Sequence, residues 1–359
     1  MMRRLILVLG FILLLTVEAG AVELPEELVD ALPEGTEDLL KDTDFSDADG
    51  FTQGIQGILE RARDETSEIL RQRVKGAASV LLVVILCGVI EGLYQGADRK
   101  MISFLPMASA LSVTLLTAGS LDTLIGLGAE TIEELNLFSK MLLPTLAAAT
   151  ATAGAVATAT FQQVTTVFLV DLLLNLMDGF LLPMVYLYIG TLTASCCMPE
   201  NRLGVIAETL KKALTWVLTT ALLVFTLYLS VVRIISGATD GATVKLTKAA
   251  ISGVVPVVGG IIAEATETVL VGAGLLKNTI GIFGVLAIFA ACIYPFLQLG
   301  IQYLLYKLTA FLAAVVGEPG LCKLINGLGS AFGLVLGMTG ACALLLLVSV
   351  LASVAAVIP

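Results

Sequence analysis

Long apolar runs, separated by short polar or broken stretches, dominate the pattern of hydrophobic and polar positions in this chain. A helix that crosses a bilayer needs about 20 predominantly apolar residues. The runs that predict whole or partial spans are 76–93, 101–119, 142–161, 164–188, 213–235, 279–301, 304–316 and 332–358. Together with a broken apolar segment at 250–276, they predict an all-α, polytopic integral membrane helical bundle with about six to nine crossings.

Residues 51–75 follow a different pattern, in which apolar side chains recur with a period near that of a helix. The stripe consists of Phe51, Ile55, Ile58, Leu59, Ala62, Ile69 and Leu70, and charged residues fill the other face. This pattern predicts an amphipathic helix. Its apolar stripe could pack on a partner, lie on the membrane surface or pack against the protein's own bundle.

The N-terminus has the pattern of a secretory signal peptide. Arg3 and Arg4 precede the apolar run 5–15, and the small-residue sequence Ala19-Gly20-Ala21 follows it. We predict cleavage after Ala21 rather than an uncleaved anchor, because the apolar run is short for a span. The mature chain would then begin outside the cytoplasm.

An acidic segment follows at 22–50. It holds eleven Asp and Glu residues against the single basic residue Lys41, so its charge of −10 equals that of the whole chain. Such a segment is typical of a solvated tail. The predicted organisation is a signal peptide (1–21), a short, flexible, acidic extracytoplasmic segment (22–50), an amphipathic helix (51–75) and a membrane domain (76–359).

The first loops agree on an orientation. Arg99 and Lys100 place the loop 94–101 in the cytoplasm. A predicted loop at 120–140 carries Asp122, Glu130, Glu133 and Glu134 against Lys140, which suits the outside. Both loops fit an N-terminus outside the cytoplasm.

Composition narrows the chemistry. Hydrophobic residues make up 57% of the chain and charged residues 14%, whereas soluble domains carry about 25% charged residues. The chain has no histidine, which excludes histidine triads, histidine-ligated metals and histidine proton relays. It also lacks the Gly-x-x-x-x-Gly-Lys-Ser/Thr phosphate loop. We therefore predict no enzyme activity, no cofactor, no metal and no nucleic-acid partner.

A first polar group lies inside an apolar run. Asp171, Asn175 and Asp178 have the spacing i, i+4, i+7 and would share one face of a helix. They could line a polar or ion-conducting passage. Alternatively, they mark a helix end at the headgroups, with Asp178-Gly179 as a turn between two short helices.

A second polar group falls in the segment 233–278, between two strong spans. The candidates for a broken helix or cavity there are Asp240, Pro256, Gly259, Gly260, Glu264, Glu267, Lys277 and Asn278. Ionisable groups and broken backbone are tolerated at membrane depth only when they are buried in protein or line a cavity. The alternative is an amphipathic helix at the interface, with its glutamates in water.

Several of these sequences resemble the stage III sporulation protein AE family. The resemblance rests on SGATDG (236–241), VPVVGG (255–260), EATETVL (264–270), LLKN-x-IG (275–281) and LLPTL (142–146) ahead of an Ala/Thr-rich segment. It covers nearly the whole chain after the signal peptide and is most specific at 236–281.

The resemblance implies a role that composition does not. Members of that family are multispanning components of a secretion-like channel complex, or feeding tube, in the mother-cell membrane around the engulfed forespore. The implied partners are other membrane and ring-forming proteins of that complex. An autonomous secondary transporter and a purely structural scaffold remain alternatives, and the resemblance supplies no catalytic residues.

Overall fold

The computed structural model describes residues 26–40, 43, 45, 48–93, 105–152, 158–198, 202–235, 279–316 and 319–355, and every regular element in these ranges is helical. Two short helices, α1 (Glu26–Asp30) and α2 (Glu37–Leu40), come first. The long helices are α3 (Ala48–Leu93), α4 (Leu105–Thr152), α5 (Thr158–Leu176), α6 (Leu182–Cys197), α7 (Arg202–Ile235), α8 (Thr279–Val316) and α9 (Pro319–Ala355). The predicted all-α class is confirmed.

Six helical spans in the described ranges are long and apolar enough to cross a membrane. They are Gly50–Ile90, Met107–Leu146, Thr165–Cys197, Leu203–Tyr228, Thr279–Val315 and Pro319–Val354. This number lies at the lower end of the predicted range. The signal peptide and the broken segment 250–276 lie outside the described residues.

The hairpin of α8 and α9 forms the centre of the bundle. In the most apolar stretch of α9, 94% of the residues are buried, compared with 17% in α3 and in α7. α9 packs against α8, α4 and α6, and α8 also packs against α3. Glycines allow the close approach, because a Cβ at Gly327 would overlap Leu192 and one at Gly333 would overlap Tyr303.

The outer helices present apolar side chains to their surroundings. Exposed examples are Leu82, Leu86 and Val89 on α3, Leu115 on α4, Trp216 and Leu223 on α7, and Phe311 and Val315 on α8. So many exposed large apolar side chains would be unusual on a soluble protein. These exposed apolar side chains are suited to contact with lipid. In this respect the outer helices differ from α9, which is surrounded by protein.

The predicted loop at 120–140 is wrong, because α4 runs through it without interruption. The apolar residues of this stretch are buried at helical spacing: Leu124, Ile125, Ile132, Leu135 and Phe138. The acidic residues that suggested a loop occupy the remaining faces of the helix. The runs 101–119 and 142–161 are therefore not separate spans divided by that loop.

Two further boundaries differ from those of the predicted runs. The runs 279–301 and 304–316 belong to the single helix α8, which contains Pro295. The run 332–358 overlaps the second half of α9, which begins at Pro319. Because a proline kinks a helix without having to end it, Pro295 and Pro144 both lie inside long helices.

The amphipathic segment 51–75 and the apolar run after it form one helix, α3. Phe51, Ile58, Ala62 and Ile69 are buried, and α3 packs mainly on α8. Packing against the protein's own bundle is therefore the interpretation that the structure favours for most of this stripe. Leu59 and Leu70 remain exposed.

Part of the acidic segment is packed rather than solvated, which differs from the predicted flexible tail. Leu28 on α1 and Leu40 on α2 are buried, and the Thr36 hydroxyl donates to the Pro33 carbonyl over 2.6 Å. Further on, the rings of Phe45 and Phe283 meet edge to face with centroids 5.4 Å apart. These apolar contacts hold residues 26–40 against the bundle despite their charge.

The helices run in alternating directions between two ends of the bundle. α3, α5 and α8 begin at one end, which we call the entry end; there Gly54 faces Leu286, and Gly284 faces Leu142 of α4. A hydrogen bond of 3.2 Å between Thr166 and Tyr228 places the end of α7 there too. At the opposite end, α6 and α8 finish and α7 and α9 begin.

Candidate functional site

Two polar pairs join α4 to α5 and form what we call the polar ladder. The Asn136 Nδ2 donates to the Asn175 Oδ1 over 3.2 Å. One helical turn away, the Lys140 Nζ lies 3.6 Å from the Asp171 Oδ1. The structure thus gives two of the three predicted polar residues a partner on a neighbouring helix.

The ladder is only partly buried. Asn136 is buried, Asn175 is exposed, and the side chains of Lys140 and Asp171 are 49% and 41% exposed. The Asn136 Oδ1 and the Asp171 Oδ1 are buried atoms that accept no hydrogen bond. Since buried acceptors are normally satisfied, these two oxygens give the ladder spare capacity to bind water or a donor group.

Asp178 lies apart from the ladder. It belongs to a π-helical turn, Met177–Leu181, that joins α5 directly to α6. The proposed turn at Asp178-Gly179 is therefore wrong, because the helix continues through it. Such π-bulges are frequent at functional sites in helices, and here the bulge lies beside α9, where the Met177 Sδ is 3.2 Å from the Cys342 Sγ.

A cavity of about 520 Å³ lies between α3, α4 and α8. Residues 34 and 35, from the turn before α2, contribute to its wall, and Pro295 lies in the wall formed by α8. Arg73 of α3 donates to the Gln298 side chain of α8 at its edge. The cavity is therefore lined by helices that are distant in sequence.

The cavity is acidic. Its charged lining consists of the carboxylates of Glu34, Glu65, Glu68, Glu130 and Glu134 and the guanidinium groups of Arg61 and Arg73. Arg61 pairs with Glu65 over 3.3 Å within α3, and this pair is exposed. An excess of carboxylates favours cations over anions.

The ladder and the cavity lie on different faces of α4. Glu130 and Glu134, one turn apart, face the cavity, whereas Asn136 and Lys140, also one turn apart, face α5. A difference of two positions along a helix is a rotation of about 200°. The two features therefore form separate polar sites, divided by the buried side chains of α4.

The second predicted group lies outside the described residues. It comprises Asp240, Pro256, Gly259, Gly260, Glu264, Glu267, Lys277 and Asn278. The cavity, in contrast, was missed by sequence reasoning. Its signal is present in the charged face of 51–75 and in the acidic residues of 120–140, but the sequence does not indicate that these two stretches face each other.

Comparison with known proteins gives one family. A model of the stage III sporulation protein AE family matches residues 45–357. The chain is also 25% identical over 240 residues to stage III sporulation protein AE of Bacillus subtilis (strain 168). That alignment covers 67% of this chain and only 60% of the length of the relative. No solved structure matches the chain.

Proposed function

This chain belongs to the stage III sporulation protein AE family, and we propose that it is a multispanning membrane subunit of a sporulation-specific trans-envelope channel complex. The complex would connect the mother cell and the forespore after engulfment. We place the chain in the mother-cell membrane around the forespore, with the entry end of the bundle outside the mother-cell cytoplasm. Its partners would be the other membrane and ring-forming proteins of the complex.

The observation that carries this proposal is the arrangement of the six apolar helices. α9 is surrounded by protein, while α3, α4 and α7 direct apolar side chains outward. A helix that only anchors a partner needs no such core. A bundle with its own buried centre is typical of an integral subunit that holds a fixed shape in the bilayer.

A permease-like part within the complex is supported by the polar sites. The acidic cavity and the polar ladder both lie between helices that otherwise pack through apolar residues. Ionisable residues in such positions are costly and usually mark a pathway for ions or substrate. The same observation supports the alternative of an autonomous secondary transporter, so the two need a direct test.

The first experiment is affinity purification of the full-length chain from sporulating cells. Other membrane proteins of the complex should co-purify after engulfment begins, and vegetative cells expressing the same chain serve as the control. Deletion of the gene should block sporulation after engulfment and leave vegetative growth normal. Recovery of the chain without membrane partners would contradict a subunit role.

The second experiment separates a subunit from a transporter. The purified chain is reconstituted alone into liposomes, and the flux of small solutes is measured. We expect no specific flux, because the ladder and the cavity lie on different faces of α4 and form separate polar sites. Robust, substrate-specific flux, lost on replacing Glu134 by Gln, would overturn the subunit proposal in favour of the transporter.

A further inference from the structure

Two lysines from different helices converge on one buried hydroxyl group. The Lys211 Nζ of α7 donates to the Ser330 Oγ of α9 over 2.9 Å. The Lys307 Nζ of α8 donates to the same oxygen over 3.0 Å. The Ser330 hydroxyl in turn donates to the Asn326 carbonyl over 2.9 Å. Two ammonium groups are therefore held within two hydrogen-bond lengths of each other.

The positive charge at this place is only partly offset by the described residues, since Glu208 also interacts electrostatically with Lys211. The nearby Glu208 forms its ion pair with Lys323, over 3.0 Å, rather than with either of the converging lysines. Lys307 has other partners, but they are neutral: the Asn326 Oδ1 at 2.6 Å and the face of the Tyr303 ring at 5.6 Å. Like charges this close repel strongly where water is scarce.

The surroundings combine this positive charge with apolar surface. α7 and α8 both pack against α9, and Ser330 lies between Lys211 and Lys307. Leu304 and Phe311, three residues before and four after Lys307, are exposed on α8. Asn326, one turn before Ser330, is exposed. We call this place the lysine groove.

We propose that the lysine groove binds an anionic phospholipid, with Lys211 and Lys307 donating to the oxygens of its phosphate. A phosphodiester carries one negative charge, which offsets the repulsion between the two ammonium groups. Its several oxygens can accept hydrogen bonds from the ammonium N–H groups that Ser330 does not accept. Leu304 and Phe311 supply the apolar surface for the acyl chains. Basic pockets between membrane helices near the headgroups are suited to such lipids.

The test uses the full-length protein, purified in detergent, with three probes: phosphatidylglycerol, phosphatidylcholine and inorganic phosphate. A ligand that binds only the folded state raises the Tm with its concentration. We expect phosphatidylglycerol to raise the Tm by several degrees and to remain bound in native mass spectrometry. Phosphatidylcholine should do neither. An equal shift with inorganic phosphate would assign the groove to a soluble anion and overturn the lipid proposal.

The variants locate the effect. Replacing both lysines, Lys211→Gln and Lys307→Gln, should abolish the shift with phosphatidylglycerol. Lys212→Gln is the matched control, because it removes the same charge from the next residue of α7, which is exposed and is not one of the two donors to Ser330. An undiminished shift in the double variant would refute the proposal. Should that variant not fold, Lys211→Gln alone, which leaves Lys307 bonded to Asn326, must still reduce the shift.

Discussion

At the scale of single residues, the polar ladder contributes more to specificity than to stability. Hydrogen bonds between membrane helices are worth only about 0.6 kcal/mol on average. The bond between Asn136 and Asn175 is of this kind, and the neighbouring pair of Lys140 and Asp171 is half exposed. A large loss of function on altering these residues would therefore point to a direct role rather than to unfolding.

The first prediction concerns the double substitution Asp171→Asn and Asp178→Asn. It removes both negative charges but keeps the size and one acceptor oxygen of each side chain, so packing should survive. If these residues line a passage, the number of heat-resistant spores should fall by an order of magnitude or more at unchanged protein levels. Asp122→Asn, an exposed acidic residue of α4 outside the ladder, is the control. Normal sporulation in the double variant would mean that these two aspartates do not line a passage.

A second prediction concerns two glycines, two positions apart in α4. A Cβ at Gly128 would overlap Val335 of α9, with Leu299 and Thr339 close behind, whereas one at Gly126 would meet open space. Gly128→Ala should therefore destabilise the protein by about 1–3 kcal/mol. Gly126→Ala should be neutral or stabilising by up to about 1 kcal/mol. Thermal unfolding in detergent measures both, and equal effects would contradict the packing of α4 on α9.

Sequence alone identified Asp171 and Asn175 of the ladder but not their partners on α4. The spacing of Asp171 and Asn175 placed them on one face, since helical geometry fixes that relation. Nothing local to that stretch indicated that Asn136 and Lys140 would face them, because the pairing depends on how α4 and α5 pack. The same limit explains the missed cavity, whose charged lining comes from α3, α4 and the turn before α2.

At the scale of helices, the apolar runs were found correctly and their boundaries were not. Charged residues predict ends of spans, as at 120–140, but a long amphipathic helix can carry charge on one side while Leu124 and Phe138 are buried on another. Hydropathy reports how polar a stretch is, whereas the continuity of a helix depends on what its other faces pack against.

A third prediction tests which face of α7 meets lipid. Trp216 is the only tryptophan of the chain, and 69% of its side chain is exposed. In reconstituted protein its fluorescence should be quenched strongly by brominated phospholipids and weakly by aqueous iodide. The control moves the probe to a buried position of α9, with Trp216→Phe and Phe332→Trp, and should respond weakly to both quenchers. Strong iodide quenching of the native protein would place this face of α7 in water.

At the scale of the whole molecule, the directions of the helices determine which helix ends lie at the same end of the bundle. The charges of the loops do not decide this. α7 ends and α8 begins at the entry end. The described helix ends on either side of 236–278 therefore lie at the same end of the bundle. α9 returns from the opposite end, so its C-terminal end lies at the entry end together with the start of α3.

The fourth prediction follows from the position of the C-terminal end of α9 at the entry end. A reporter fused after α9 should lie on the same side of the membrane as the start of α3, outside the mother-cell cytoplasm in our proposed orientation. Alkaline phosphatase fused there should be active, and a fluorescent protein that folds only in the cytoplasm should be dark. The control is a fusion in the connection between α6 and α7, where both results should be reversed. Matching results at the two positions would contradict the six-helix arrangement.

The position of α9 in the chain also has a consequence for synthesis. α9, the helix with the most protein around it, follows every helix that it packs against, and Gly128 and Leu192 on those earlier helices form close contacts with it. Since chains emerge from the ribosome N-terminus first, the earlier helices must wait in the bilayer without their centre. During that interval the surfaces that will contact α9, such as the one at Gly128, are open to other helices. The newborn chain therefore depends on other proteins or on lipid to cover them until the hairpin of α8 and α9 is inserted.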